Sequence, residues 1–199
     1  MSYSASLDRM MNSIRARAPG ATDTLIKDEL YTTLDTFFCD TNIWKEDIAI
    51  TTEADEDTYT LASVEDGQIH RLLYVQDANK RFVDATMAEP GVLVLTTTPS
   101  VVQTLTATVT LTVTDPTTTD RFPIVPNWIA DRYAPAWVDG TLGRLMSMKA
   151  KPFTDLQLAV YHGKEFRSQV GAARAEALRK NTFGTQAWRF PQSFATRRA

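Results

Sequence analysis

The sequence predicts an α+β fold: a helical bundle built from the two ends of the chain, an inserted antiparallel β region, and an extended C-terminal arm. Three observations predict it. Apolar residues recur at helical spacing in residues 1–46 and 121–183. The period changes to two in residues 47–120, and no period survives in residues 184–199. Helices gathered at the ends and strands gathered in the middle give an α+β arrangement rather than a βαβ one.

In residues 1–46, Leu7, Met11 and Ile14 lie on one helical face, and Pro19-Gly20 stops that helix. A second helix starts near Asp23 with Ile26, Leu30, Leu34 and Phe37 on a stripe; Thr22 or Asp23 supplies its cap. In residues 47–120, Ile48 and Ile50, then Tyr59, Leu61 and Ser63, alternate with polar residues. Ile69–Val75 and Phe82–Met87 read as short strands, with Gly67, Asn79 and Glu89-Pro90-Gly91 at turns. The clearest strand is Leu105–Val113. Leu105, Ala107, Val109, Leu111 and Val113 alternate with Thr106, Thr108, Thr110 and Thr112, which predicts one buried and one polar face. Threonine fills 12 of the 24 positions from Thr96 to Thr119. Its β-branched side chain favours extended backbone, so the stretch reads as strand rather than linker.

In residues 121–183, Pro126 suits a first helical turn, followed by Trp128, Ile129, Tyr133 and Trp137. Trp128 and Trp137 are expected in the core, with Trp44 covering the mouth of the β region. Pro135 is expected to kink or divide this helix, because it removes an N–H and crowds the preceding turn. Lys151-Pro152 ends it. Thr154 and Gln157 fit a capping box with Phe153 and Leu158 as a hydrophobic staple, and the last helix then runs to about Asn181. Phe166, Val170, Ala173 and Ala177 share one of its faces. Residues 184–199 carry Trp188, Phe190 and Phe194 within seven positions, an apolar terminus expensive to leave in water. Two destinations stay open for Trp188: a partner or neighbouring subunit, or its own bundle.

Composition bounds the function. A chain of 199 residues with 43% hydrophobic residues suits one domain carrying an insert, and buries enough surface to fold without disulfides. The single Cys39 excludes an intramolecular disulfide and an all-cysteine metal site. The longest aliphatic run is Val92–Leu95, and Asp8, Arg9, Arg15 and Arg17 break any signal core, so the expectation is a soluble protein with no membrane partner. The net charge of −3 hides a split. Residues 1–120 hold 19 acids and 8 bases, net −11; residues 121–199 hold 5 acids and 13 bases, net +8. Such asymmetry points to two different neighbours, or to adjacent copies meeting head to tail.

No catalytic, cofactor or metal motif is found, so no enzyme activity, cofactor or metal is expected. Phosphate-cradling glycine loops, His-Glu-x-x-His and Gly-x-Ser-x-Gly are all absent. The two histidines, His70 and His162, fall on different elements, with His162 expected as a surface or helix-packing residue rather than a ligand or base. Cys39 lies between Phe38 and Asp40 and reads as a buried inert thiol without a base beside it. Glu53, Asp55 and Asp57 open like a calcium loop, but Thr58 and Val64 occupy its glycine and closing glutamate positions, leaving a solvated acidic loop. Arg167, Arg174, Arg179 and Lys180 lie along the last helix. A pI near 5.4 argues against a committed nucleic-acid binder.

The stretch Val125–Tyr133, then Gly140–Leu145, Lys151–Thr154, Tyr161–Phe166, Ala172–Ala177 and Trp188–Pro191 with Phe194, Arg197 and Arg198, resembles the head–tail adaptor proteins of tailed bacteriophages, most closely those of short-tailed phages. The resemblance covers about residues 121–199. It implies a structural virion protein in the neck, assembled in the host cytoplasm. The protein would form a homo-oligomeric ring, commonly of about twelve subunits, under the portal vertex. It implies a central channel through which DNA passes without sequence-specific binding. The portal protein and a tail nozzle or other tail protein are the implied partners. Carried onto this chain, Trp188, Arg189, Phe190, Phe194, Arg197 and Arg198 are the expected portal or subunit contacts, and residues 47–116 are expected to face the tail. A β-rich recognition module on a helical base, using the threonine face of Leu105–Val113, is the other reading.

Overall fold

The computed structural model describes residues 3–64, 67–114 and 125–179. Among them it has four helices, α1 (Tyr3–Arg17), α2 (Asp23–Thr41), α3 (Asn127–Met146) and α4 (Leu156–Leu178). Its seven strands are β1 (Lys45–Thr51), β2 (Thr58–Thr60), β3 (Gly67–Asp77), β4 (Phe82–Val83), β5 (Ala85–Glu89), β6 (Val92–Leu95) and β7 (Thr104–Val113). The fold is α+β, with helices contributed by both ends of the chain and an antiparallel β region between them.

Helices α2 and α3 form the middle of the helical part. α1 packs on both, and α4 packs on both elsewhere. Thr22 caps α2, its hydroxyl accepting from Leu25 N–H, and Asn42 closes it in the left-handed region with its N–H on the Phe38 carbonyl. Met11 and Ile14 of the predicted α1 stripe are buried, as are Ile26, Leu30, Leu34 and Phe37 of α2. Gly20 sits at φ +91 in the turn between these helices, and a Cβ there would stand 2.9 Å from the Pro152 ring. An aromatic cluster joins the elements: Phe37 meets Tyr133 and Trp137, and Phe38 meets Trp137 and Trp44.

The strands make a four-stranded sheet in the order β1-β7-β3-β4 and a three-stranded sheet in the order β2-β6-β5. Only Asp84 separates β4, which pairs with β3, from β5, which pairs with β6. The predicted strand Phe82–Met87 is therefore one extended segment that changes sheets at Asp84. Val92–Leu95, read in the sequence only as an aliphatic run, is the central strand of the second sheet. Gly67 opens β3 instead of making a turn. A Cβ at Gly67 would stand 3.1 Å from both the Leu111 and Trp44 side chains, so the strand approaches them closely at the glycine.

Four expectations are corrected. β7 is buried on both faces: Leu105, Ala107, Val109, Leu111 and Val113 are buried, and so are Thr108, Thr110 and Thr112. The threonine face is covered by α2 at its Thr112 end, and the buried threonines are tolerated because each of their hydroxyls finds an acceptor. Thr112 donates to Asp35 at 2.7 Å, Thr108 to Asp47 at 2.6 Å, and Thr110 to the Arg71 carbonyl. Pro135 does not divide its helix, because α3 runs unbroken from Asn127 to Met146 with Pro126 as its N-cap. The N-cap of α4 is Asp155, whose carboxylate accepts from the Gln157 and Leu158 N–H groups; Thr154 instead ties the preceding loop, accepting from Lys151 N–H and donating to the Met148 carbonyl. Trp128, finally, is 49% exposed at the first turn of α3, whereas Trp137 and Trp44 are buried. The described part of the last helix ends at Leu178; Asn181 lies outside the described residues.

Glycine makes the three-helix packing possible. A Cβ at Gly140 of α3 would stand 2.5 Å from Thr33 of α2 and 2.8 Å from Phe166 of α4, whereas one at Gly171 meets nothing within 4 Å. Gly171→Ala is expected to stabilise by about 0.5–1 kcal/mol through helix propensity alone. Gly140→Ala is expected to lose that gain and destabilise by about 1–3 kcal/mol through overpacking. Denaturant midpoints of the two variants should move in opposite directions.

Candidate interaction surfaces

The portal contacts expected from the sequence, Trp188, Arg189, Phe190, Phe194, Arg197 and Arg198, lie outside the described residues. Three other places on the described chain collect chemistry or exposed apolar surface.

The first is a polar cluster between α2 and the sheet. β3 carries register shifts between Ile69 and Arg71 and between Leu72 and Tyr74, so His70 and Leu73 are extra residues without a partner on β7. Bulges re-aim side chains. Here the first bulge brings His70 Nδ1 to 3.7 Å from Cys39 Sγ, and Asp35 Oδ1 is also 3.7 Å from that sulfur. The expectation of a thiol with no base beside it is corrected: an imidazole is within reach, and Cys39 is only partly buried. The bulge that does this leaves no mark in the hydrophobic pattern. Burial, followed by the charge of Asp35, pushes the Cys39 thiol above its ordinary pKa. That is the opposite of an activated nucleophile, which needs its thiolate favoured.

The second is the seam between α3 and α4. A Cβ at Gly143 would stand 3.1 Å from the Gly163 backbone nitrogen, so the helices cross closely. His162, of the two places open to it in the sequence, takes the buried one; its Nδ1 lies 2.9 Å from Asp139 Oδ1, and Gln169 donates to the other oxygen at 3.0 Å. Further along, the Tyr133 hydroxyl donates to Glu176 at 2.8 Å, and Arg132 pairs with the second oxygen at 2.8 Å. Burial and the bond to Glu176 hold the Tyr133 phenol well above its ordinary pKa. Each carboxylate is occupied by positioning contacts that lock one helix on the other.

The third is the outer face of α4. Of its 23 residues only Ala159, His162, Ala173 and Ala177 are buried. Leu156, Val160, Tyr161 and Leu178 are each more than half exposed. Lys164, Arg167, Arg174 and Arg179 stand exposed along the same helix. Phe166 and Val170 are partly buried against the core. The helix thus carries apolar surface on its outside as well as its inside, which a lone amphipathic helix does not. Only the inner apolar face is legible in the sequence, because the exposed apolar residues carry no spacing that sets them apart from the packed ones.

The acidic loop is as expected a surface feature. Glu53, Asp55, Glu56 and Asp57 are all exposed, and the Tyr59 hydroxyl donates to the Glu56 carbonyl at 2.6 Å to hold the turn. Among the described residues no group of three or more histidine, cysteine or acidic side chains is placed to hold a metal ion, and no helix is long and apolar enough to cross a membrane. No family model matches the chain, and no curated protein matches it.

The Cys39 environment has a pH consequence. A thiol whose folded pKa is raised contributes stability that is intact below the unfolded value of about 8.5 and lost as pH rises through the folded value. Alkylation of Cys39 by iodoacetamide at pH 8 is expected to be slower in the native protein than in the same protein unfolded in guanidinium. His70→Ala should not slow it further; a large drop would mark an imidazole-activated thiol.

Proposed function

We propose that this protein is a structural component of a phage virion, a ring-forming adaptor that joins the portal vertex to the tail and leaves a channel for DNA. The observation that carries the reading is the outer face of α4, a long helix whose exposed leucines, valine and tyrosine need a neighbour to cover them. The charge split supports it, since a basic C-terminal segment on an acidic body suits heterologous contacts that close into a ring. So does the state of the titratable groups: His162 is tied to Asp139, Tyr133 to Glu176, and burial raises the Cys39 thiol above its ordinary pKa. The proposed mechanism is assembly without a chemical step. The resemblance of residues 121–199 to head–tail adaptors supplies the partners: the portal through Trp188, Arg189, Phe190, Phe194, Arg197 and Arg198, and a tail protein through the β region. The location that follows is the virion neck.

Electron microscopy of the protein mixed with its portal protein should show a ring stacked on the portal ring. Deleting residues 184–199 should abolish that complex while the circular dichroism of the remainder is kept. An undiminished complex would remove the arm from the portal contact.

A further inference from the structure

The threonine face of the larger sheet is covered by α2 at the Thr112 end and opens into a groove at the Thr108 end. Thr108 and Asp47 form its floor, bonded at 2.6 Å. The second β3 bulge turns Leu73 into it beside Tyr74. Phe82 is 72% exposed and stacks edge-on against Tyr74, with ring centroids 5.6 Å apart. Trp128, from the first turn of α3, faces them from the helical side, and Ala177, from the last turn of α4, closes the end. Glu46 and Asp47 stand exposed on β1. Among the described residues the one cation lining the groove is Lys45, which donates from Nζ to the Ala177 carbonyl at 2.9 Å.

We propose that this groove is the docking site of the chain's own residues 184–199 in the free protein. The described chain ends at Arg179, two residues beyond the groove-lining Ala177, and five residue steps lead from Arg179 to Gly184. That span covers up to about 17 Å. Residues 184–199 hold three arginines, three aromatics and no acid, which complements a groove lined by exposed aromatic and apolar side chains and two carboxylates. Tethering supplies an effective concentration of order millimolar, so a contact too weak to hold a separate peptide suffices here. The inference goes beyond the adaptor reading and rests on it in one respect only: a portal would have to displace the segment to take it.

Test the full chain without portal. Place a photo-crosslinking phenylalanine analogue at position 188 and irradiate at sub-micromolar protein. The expected crosslinks are intramolecular and map to Leu73, Tyr74, Phe82 or Trp128. Phe82→Ser and Glu46→Lys each alter an exposed side chain, and each should cut those crosslinks by about tenfold, the loss of ~1.4 kcal/mol of contact. Crosslinks landing elsewhere on the chain, crosslinks joining two copies, or none at all each overturn the proposal. Portal binding is scored separately, so failure here leaves the ring-on-portal assay intact as the test of the adaptor reading.

Discussion

Strand β7 is held from both sides, and the arrangement of the other elements follows from that. Its aliphatic row, Leu105 to Val113, joins one core with Tyr59, Leu93 and Leu95 of the second sheet. The Thr112 end of its threonine row lies against α2, where Asp35 accepts from the Thr112 hydroxyl. Burying three threonines would be costly if any hydroxyl lacked an acceptor. The price is avoided because a strand on each side supplies one, Asp47 from β1 and the Arg71 carbonyl from β3, and the helix supplies the third. The sheet and the bundle are thereby one body. The helices need not be adjacent in sequence, since β7 and the aromatic cluster of Phe37, Phe38, Trp44 and Trp137 hold them from within.

Two β3 bulges then decide what the body presents. Pairing slips at His70 and again at Leu73, and each slip keeps the extra side chain on the threonine face. One lands beside Cys39, within a network that keeps the thiol protonated. The other lands in the open groove near Trp128. The same strand therefore contributes a structural polar cluster and an exposed apolar surface, three residues apart.

Periodicity carried the element types and their order. The 3.6 spacing of Ile26, Leu30, Leu34 and Phe37 and the alternation of Leu105–Val113 are both realised. What periodicity does not carry is which polar residues are covered. Alternation marks two faces but not whether the second has a helix on it, so Thr108–Thr112 read as solvent-facing. A bulge adds one residue to a run and leaves its composition unchanged, so the meeting of His70 with Cys39 had no local signal. Trp128 was placed in the core by residue type alone, though it sits in the first turn of α3, where a side chain clears the neighbouring helices. The cap of α4 shows the same limit: Thr154 and Asp155 are both competent caps, and the loop's need for Thr154 gives the position to Asp155.

The inner alanines and His162 of α4 lock onto α3, and on the proposed function its exposed leucines, valine and tyrosine are covered by a neighbouring copy. A subunit-resolved electron-microscopy map of the assembled neck tests this most directly. The account predicts that Leu156, Val160 and Tyr161 are buried against the adjacent subunit of a ring. A map of the ring in which that face lies open to solvent would contradict it.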